Sequence, residues 1–291
     1  MSRERPVFQF LSADLAPGDG QSAALATNAF EIVRIDNADH PRFAEAYAML
    51  WNEFGSRREL EDRAVLARRL QWDPVKPLNG CALLYDLLAI RHGDQIIAVR
   101  DHTAIVPLDH PTMSAVVHLS HVLVDQSMRR TGLAGWLRAL PIQTSRECLR
   151  RAGGPATAPI TLVAEMEYPR LDAADSLVRL RAYEKAGFRK IDPARVPYLQ
   201  PDFRPPAQID DTGGPHPLPF ALLVRRLGRE HEQELTGAEA VHLARTLYRM
   251  YGVTFRAQDM AAVLKNLEKF PRHDELVRLL PPSEPNTEAL P

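Results

Sequence analysis

"VDQSMRRTGLAGWL" (124–137) links the end of one apolar run to the start of another through two arginines, a threonine and a glycine. The run before it, "SAVVHLSHVLVD" (114–125), has the alternation and β-branching of a strand, and an apolar helix is expected from about residue 131. Arg129, Arg130 and Gly132 at such a junction have two readings. One is a tight turn carrying solvated arginines. The other is an anion cradle: the first N–H groups of a helix lack intrahelical acceptors, and cations beside them add charge-assisted bonds. Glycine suits the cradle because it tolerates the backbone angles and the close approach required. A Walker-type nucleotide loop is excluded, since no G-x-x-x-x-G-K-[ST] occurs.

Working outward, "FEIVRID" (30–36) reads as a strand, and 40–56 as a helix with Phe43, Ala46, Tyr47, Leu50 and Phe54 on one face. A second helix is expected over 58–70. Two apolar runs flank His92-Gly93-Asp94, a hairpin signal. Pro141 predicts a kink in the helix that starts near 131, or a restart with the proline in a first turn. Residues 160–166 read as a strand, 172–187 as a helix closed by Gly187, and 219–227 as a late strand after a Pro-rich stretch. The order of strands and helices implies a mixed α/β sheet.

The ends read differently. Residues 1–28 are rich in Ala, Gly, Ser and Pro without a period, which predicts a mobile tail. Beyond 229, a Thr236-x-x-Glu239 capping box precedes the stripe Val241, Ala244, Leu247, Tyr248, Tyr251, and a second stripe runs from Met260 to Phe270. This predicts a helical hairpin over 230–280 that packs on the domain or on a second copy in a homodimer, with no chemistry of its own. A disordered tail is expected over 281–291.

Composition sets limits. The 291 residues carry 36 Lys plus Arg against 37 Asp plus Glu, which argues against a broad nucleic-acid footprint. Two cysteines, Cys81 and Cys148, build neither a disulfide framework nor a paired Cys-x-x-Cys metal site, as expected of a cytoplasmic protein. No segment reads as a signal peptide or a membrane span, so no membrane association is expected.

Arg129-x-x-Gly132-x-Ala134 resembles the pyrophosphate loop, Q/R-x-x-G-x-G/A, of the GNAT superfamily of acyl-CoA-dependent N-acyltransferases. "RAYEKAGFRKID" (181–192) is similar to that family's Y-x-K-x-G-F helix ending, and the two motifs lie about fifty residues apart with a strand between them. The resemblance implies a mixed, mostly antiparallel sheet flanked by helices over residues 29–229, with the C-terminal helices as an extension. It implies acetyl-CoA as donor, bound by Val124, Arg129, Arg130, Thr131, Gly132, Leu133 and Ala134, and an amine as acceptor. It places the Tyr183 hydroxyl beside the CoA sulfur, where a phenol protonates the departing thiolate; the alternative for Tyr183 is a core aromatic. It gives the backbone N–H of Val122 the role of polarising the acyl carbonyl. Ser176 stands where the family often has a cofactor-contacting Asn.

Amine acylation requires a base. His118 sits on the strand before that loop, eleven residues ahead of Arg129, at an offset where some members of the resembled family carry a basic carboxylate, and imidazole titrates near neutrality. A histidine bonded within the sheet is the alternative. Strand alternation puts His118, Ser120, Val122 and Val124 on one face and His121 on the other, against joint metal binding by the two histidines; no metal is expected. Glu165 and Glu167 are rival bases acting through water, and Asp101 and His102 are candidates for lining the acceptor cleft. If Asp86, Asp101, Glu165 and Glu167 line it, a cationic acceptor follows. Three functions remain open: acetylation of a small amine, acylation of a protein Lys or N-terminus, and non-catalytic acyl-CoA binding.

Overall fold

The computed structural model describes residues 7–57, 59–168 and 174–285, and excludes the side chains of 57 and 174–176. In chain order its elements are α1 (Gly20–Ala23), β1 (Glu31–Ile35), α2 (Phe43–Phe54), α3 (Arg63–Arg69), β2 (Cys81–His92), β3 (Gln95–Pro107), β4 (Ala115–Val124), α4 (Leu133–Ala139) and α5 (Pro141–Arg151). There follow β5 (Ile160–Met166), α6 (Ala174–Lys185), β6 (Arg189–Ile191), β7 (Leu199–Gln200), α7 (Pro206–Asp211), β8 (Leu218–Pro219) and β9 (Ala221–Arg226). The chain closes with β10 (Glu234–Thr236), α8 (Gly237–Tyr251), α9 (Ala257–Asn266) and β11 (Leu276–Leu280).

Among the described residues nine strands form one sheet in the order β1-β2-β3-β4-β5-β9-β6-β11-β10. Its pairings are antiparallel except for β4 with β5. Helices cover both faces. Leu83, Tyr85 and Leu87 of β2 point into a core with α2, α3, α8 and α9, while their neighbours Ala82, Leu84 and Leu88 point towards α4, α5 and α6. Burial on both faces makes β2 read as a continuous apolar run. β2 and β3 turn at His92↔Gln95 around Gly93 and Asp94, the expected hairpin. Pro141 opens α5 directly after α4, so the restart is the form taken.

Two features of β4 shape the site. It pairs with β5 only from Ala115↔Ile160 to His118↔Val163; beyond that point β4 runs on to Val124 and β5 to Met166 without pairing to each other. The sheet therefore opens between them. On its other edge β4 carries a bulge: Asp101 pairs with His121 and Thr103 with His118, leaving Leu119 and Ser120 opposite His102. The extra residue resets side-chain parity. His118 and His121 share the α8 side of the sheet, and Val122 and Val124 pack on the other, so the expected grouping of His118 with Val122 and Val124 is overturned.

Both ends of the chain depart from expectation. The described part of the predicted tail, 7–28, is packed: Phe8 is buried with Leu133 and Leu137, Phe10 meets Trp136 edge-on at 5.1 Å, and Arg138 pairs with Asp19. Single anchors and ion pairs hold it, and these leave no period in a sequence. Residues 1–6 lie outside the described residues. At the other end, β11 pairs with β6 (Leu279↔Ile191, Leu280↔Lys190), so 230–280 joins the main sheet and is more than a helical hairpin. The capping box forms by half. Thr236 Oγ accepts from the Glu239 N–H at 3.2 Å, while the Glu239 carboxylate turns to Arg226 and Arg229. Of the expected C-terminal tail, 281–285 are described, with the Ser283 hydroxyl donating to Glu184 at 2.5 Å; 286–291 lie outside.

Candidate active site

The strand-to-helix junction has the backbone of a cradle. Gly132 sits in the left-handed region at φ 98°, which favours glycine, and as N-cap it offers α4 no side chain; the Thr131 Oγ accepts from the Leu133 N–H at a long 3.4 Å. Arg130 is also left-handed at φ 66°, a strain of order 1–3 kcal/mol for a non-glycine residue. The N-terminal segment holds this shape: Gln21 Nε2 donates to the Arg130 carbonyl at 2.5 Å, and Ser22 Oγ to the Gly132 carbonyl at 2.6 Å. The Thr131 hydroxyl donates to the Met128 carbonyl at 2.7 Å. A cleft of about 320 Å³ results, with Val124, Arg129, Arg130, Gly132 and Ala134 on one side, Ala182 and Lys185 of α6 on the other, and Gly18, Asp19 and Ser22 across it. Arg129 and Arg130 are exposed. The Leu133 side chain is core, so only its backbone is available to a ligand. Ser176 lies in the first turn of α6, and its side chain is outside the described residues.

A polar cluster flanks the sheet opening. His118 Nε2 lies 2.8 Å from Glu165 Oε2, with both side chains buried. Glu165 also accepts from the Tyr198 hydroxyl at 2.5 Å, from the Tyr251 hydroxyl, and from Gln200 Nε2 at 3.4 Å. Burial pushes the Glu165 carboxyl up, but the bonds from His118, Tyr198 and Tyr251 outweigh it and hold the group below the usual carboxylate range. Burial first, and then the Glu165 charge, push the Tyr198 and Tyr251 phenols well above their ordinary value, so both remain donors. An ionised carboxylate only accepts, so a neutral His118 imidazole facing it places its proton on Nε2. Nδ1 is then the acceptor, and Ser120 Oγ faces it at 3.1 Å.

Tyr183 is 5 % exposed and packs edge-on against Phe188 at 4.9 Å, which makes it a core aromatic. It also lines a cavity of about 100 Å³ with Ser120, His121, Val122, Glu165, Glu167 and Gln200. The α6 helix thus forms a shared wall: Ala182 lines the cradle cleft and Tyr183 the cavity at the sheet opening. Beneath it is Arg100, paired with Val122 in the β3–β4 register and 0 % exposed. None of its guanidinium nitrogens makes a hydrogen bond of good geometry among the described residues; burial lowers the guanidinium from its ordinary value, and the Tyr183 hydroxyl beside it partly offsets this by charge and by a loose hydrogen bond.

Several candidates lie elsewhere. His102 is sealed against Thr144 of α5 at 2.7 Å, and burial pushes its imidazole down to about 3. Asp86 is buried with Arg34 and Thr144. Asp101 is fully buried and holds His121 at 2.9 Å and the Tyr85 hydroxyl at 3.1 Å; burial opposes the His121 charge, but Asp101 prevails and raises that imidazole to about 8. None of His102, Asp86 and Asp101 lines the opening, whereas Glu167 stands exposed at the cavity rim. Tyr198, Gln200, Tyr251 and Arg100 have no signal in the sequence. Tyr251 comes from the C-terminal helix expected to carry no chemistry. Among the described residues no group of three or more His, Cys, Asp or Glu is arranged to hold a metal, and no helix is long and apolar enough to cross a membrane.

No protein-family model matches the sequence. No curated protein matches it either. Similar solved structures include an aminoglycoside acetyltransferase from an uncultured soil metagenomic sample in complex with sisomicin (15% identity, 53% of this chain and 87% of that one, TM-score 0.35). A GCN5-related glucosamine N-acetyltransferase region of a fungal multi-domain β-N-acetylglucosaminidase overlaps 62% of this chain and 20% of its own, at 17% identity and a TM-score of 0.37. A GCN5-related N-acetyltransferase from Kribbella flavida overlaps 56% of this chain and 34% of its own, at 13% identity and a TM-score of 0.27. Overlap of this extent identifies no donor or acceptor for this chain.

Proposed function

We propose that this protein is a CoA-thioester-dependent N-acyltransferase that moves an acetyl group from acetyl-CoA to a primary amine by direct attack. The observation that carries the reading is the end of β4–β5 pairing at His118↔Val163, which opens the sheet between the Arg129–Ala134 cradle and the His118–Glu165 pair. The pyrophosphate is held by the cradle's N–H groups with Arg129 and Arg130 beside it, and the pantetheine arm runs past Val124 into the opening. The Val122 N–H polarises the thioester carbonyl, and the Tyr183 hydroxyl gives its proton to the departing sulfur. His118, oriented by Glu165, draws the amine proton away through the Ser120 hydroxyl at its Nδ1. Glu59, Glu165 and Glu167 around the cavity favour an acceptor that arrives as a cation.

The test is thiol release from acetyl-CoA in the presence of a panel of mono- and polyamines, with the acylated amine identified by mass. The reading expects an amine that accelerates release and emerges as its amide. Binding of acetyl-CoA with no amide from small amines or lysine peptides would sink it.

A further inference from the structure

The bulge in β4 has a chemical result. By bringing an extra residue into the strand it sets Ser120 beside His118 on the cavity side, with Ser120 Oγ 3.1 Å from His118 Nδ1 and His118 Nε2 2.8 Å from Glu165 Oε2. A hydroxyl, an imidazole and a carboxylate stand in line, which is the arrangement that activates a serine. The hydrogen bonds set the direction of proton movement. Glu165 is an acceptor-only carboxylate that also takes bonds from Tyr198 and Tyr251, so in the neutral imidazole the His118 proton sits on Nε2 and the Nδ1 lone pair faces the Ser120 hydroxyl. Ser120 is half-buried and lines both the cavity with Tyr183 and Val122 and the smaller one beneath His118. In a strand of regular alternation the side chains at 118 and 121 would point to opposite faces; the bulge gathers His118, Ser120 and His121 around one cavity.

We infer that Ser120 is a nucleophile, and that with no amine bound the protein hydrolyses thioesters and activated esters of small carboxylic acids through an acyl-Ser120 intermediate. For thioesters the inference rests on the CoA reading above; for activated esters it needs only the cavity. Ser120 Oγ forms a bond to the acyl carbon while its proton passes to His118 Nδ1, and Glu165 at Nε2 stabilises the imidazolium. The intermediate collapses with cleavage of the carbon–sulfur bond, and the proton returns from His118 to the sulfur, releasing a thiol. Water then attacks the ester, giving a proton to His118; the carbon–Oγ bond breaks, and the proton goes back to Ser120. The sum is thioester plus water giving carboxylic acid plus thiol.

The experiment mixes the intact chain with p-nitrophenyl acetate and, separately, with acetyl-CoA, without amine. Nitrophenolate or thiol release is followed, and the quenched protein is analysed by intact and peptide mass. The expected result is a burst approaching one equivalent per chain, an acetyl group on the peptide containing Ser120, and loss of both in Ser120→Ala. His118→Ala should slow the burst ~100-fold or more, and Ser120→Cys should keep acylation. A folded wild-type chain that carries no acetyl group on Ser120 with either reagent, or a Ser120→Ala chain that hydrolyses both at the wild-type rate, would overturn the inference. Acylation by p-nitrophenyl acetate in a chain that fails to bind acetyl-CoA would uphold the serine and reject the CoA reading. Binding of acetyl-CoA without acylation by either reagent would do the reverse.

Discussion

The Tyr251 hydroxyl, at the last residue of α8, donates to Glu165 Oε2 and lies 3.2 Å from His118 Nε2. A helix beyond the two sequence motifs therefore completes the polar cluster at the sheet opening. Tyr251→Phe removes that donor without changing the packing shape. A buried hydrogen bond to a charged group contributes about 1.5–3 kcal/mol. The variant should stay folded, bind acetyl-CoA within about threefold of wild type, and lose roughly tenfold or more in kcat as Glu165, which orients His118, loses one of its fixed donors. Steady-state kinetics beside calorimetry check this; an unchanged kcat with chemistry rate-limiting would show Tyr251 to be packing alone.

Arg100 is fully buried and makes no hydrogen bond of good geometry among the described residues, so Tyr183 and the Asp101 charge offset the burial of its own charge incompletely, which costs stability. Arg100→Met should therefore be more stable than wild type, by about 1 kcal/mol in denaturant titration. If the charge assists the Tyr183 hydroxyl as negative charge develops on sulfur, kcat should fall while acetyl-CoA affinity holds. A variant that is both less stable and fully active would contradict this account of Arg100.

The His121–Asp101 pair makes stability depend on pH. Burial lowers the imidazole value, but the Asp101 carboxylate raises it to about 8 in the folded chain, against ~6.5 unfolded. A raised folded value means the stabilisation is fully present below the unfolded value and is lost as pH rises through about 8. Melting temperature should fall between about pH 6 and about pH 9 by the equivalent of roughly 2 kcal/mol. Asp101→Asn should flatten that slope; an identical slope in the variant would place its origin elsewhere.

Much of the cradle and little of the cluster is legible in the sequence. Gly132 between an alternating strand and an apolar helix announces a left-handed junction, and Pro141 announces a restart, because both act through local backbone geometry. The bulge at Leu119 and Ser120 has no such mark, and it reverses the parity on which the separation of His118 from His121 depended. Tyr198 and Tyr251 reach Glu165 across more than thirty residues of chain, through packing that no local pattern encodes. The N-terminal segment reads as a tail because its anchors, Phe8, Asp19 and Ser22, are isolated.

Ser22 supports the strained loop from that segment. Ser22→Ala removes the bond to the Gly132 carbonyl, worth about 1 kcal/mol. If the bond pre-forms the cradle, acetyl-CoA affinity should weaken about fivefold with little change in melting temperature. Tighter binding in the variant would instead mean that the segment obstructs the cleft.

The central claim is that a CoA thioester seats its pyrophosphate on residues 129–134. Calorimetric titration of acetyl-CoA into the intact chain and into Gly132→Val tests it most directly, with circular dichroism to show that both are folded. Valine at φ 98° is strained, and its Cβ would lie 2.9 Å from the Gln21 carbonyl oxygen, so the cradle cannot keep its shape. The account predicts saturable one-to-one binding to wild type and at least ~100-fold weaker binding to the folded variant. No binding to wild type, or undiminished binding to a folded Gly132→Val chain, would contradict it.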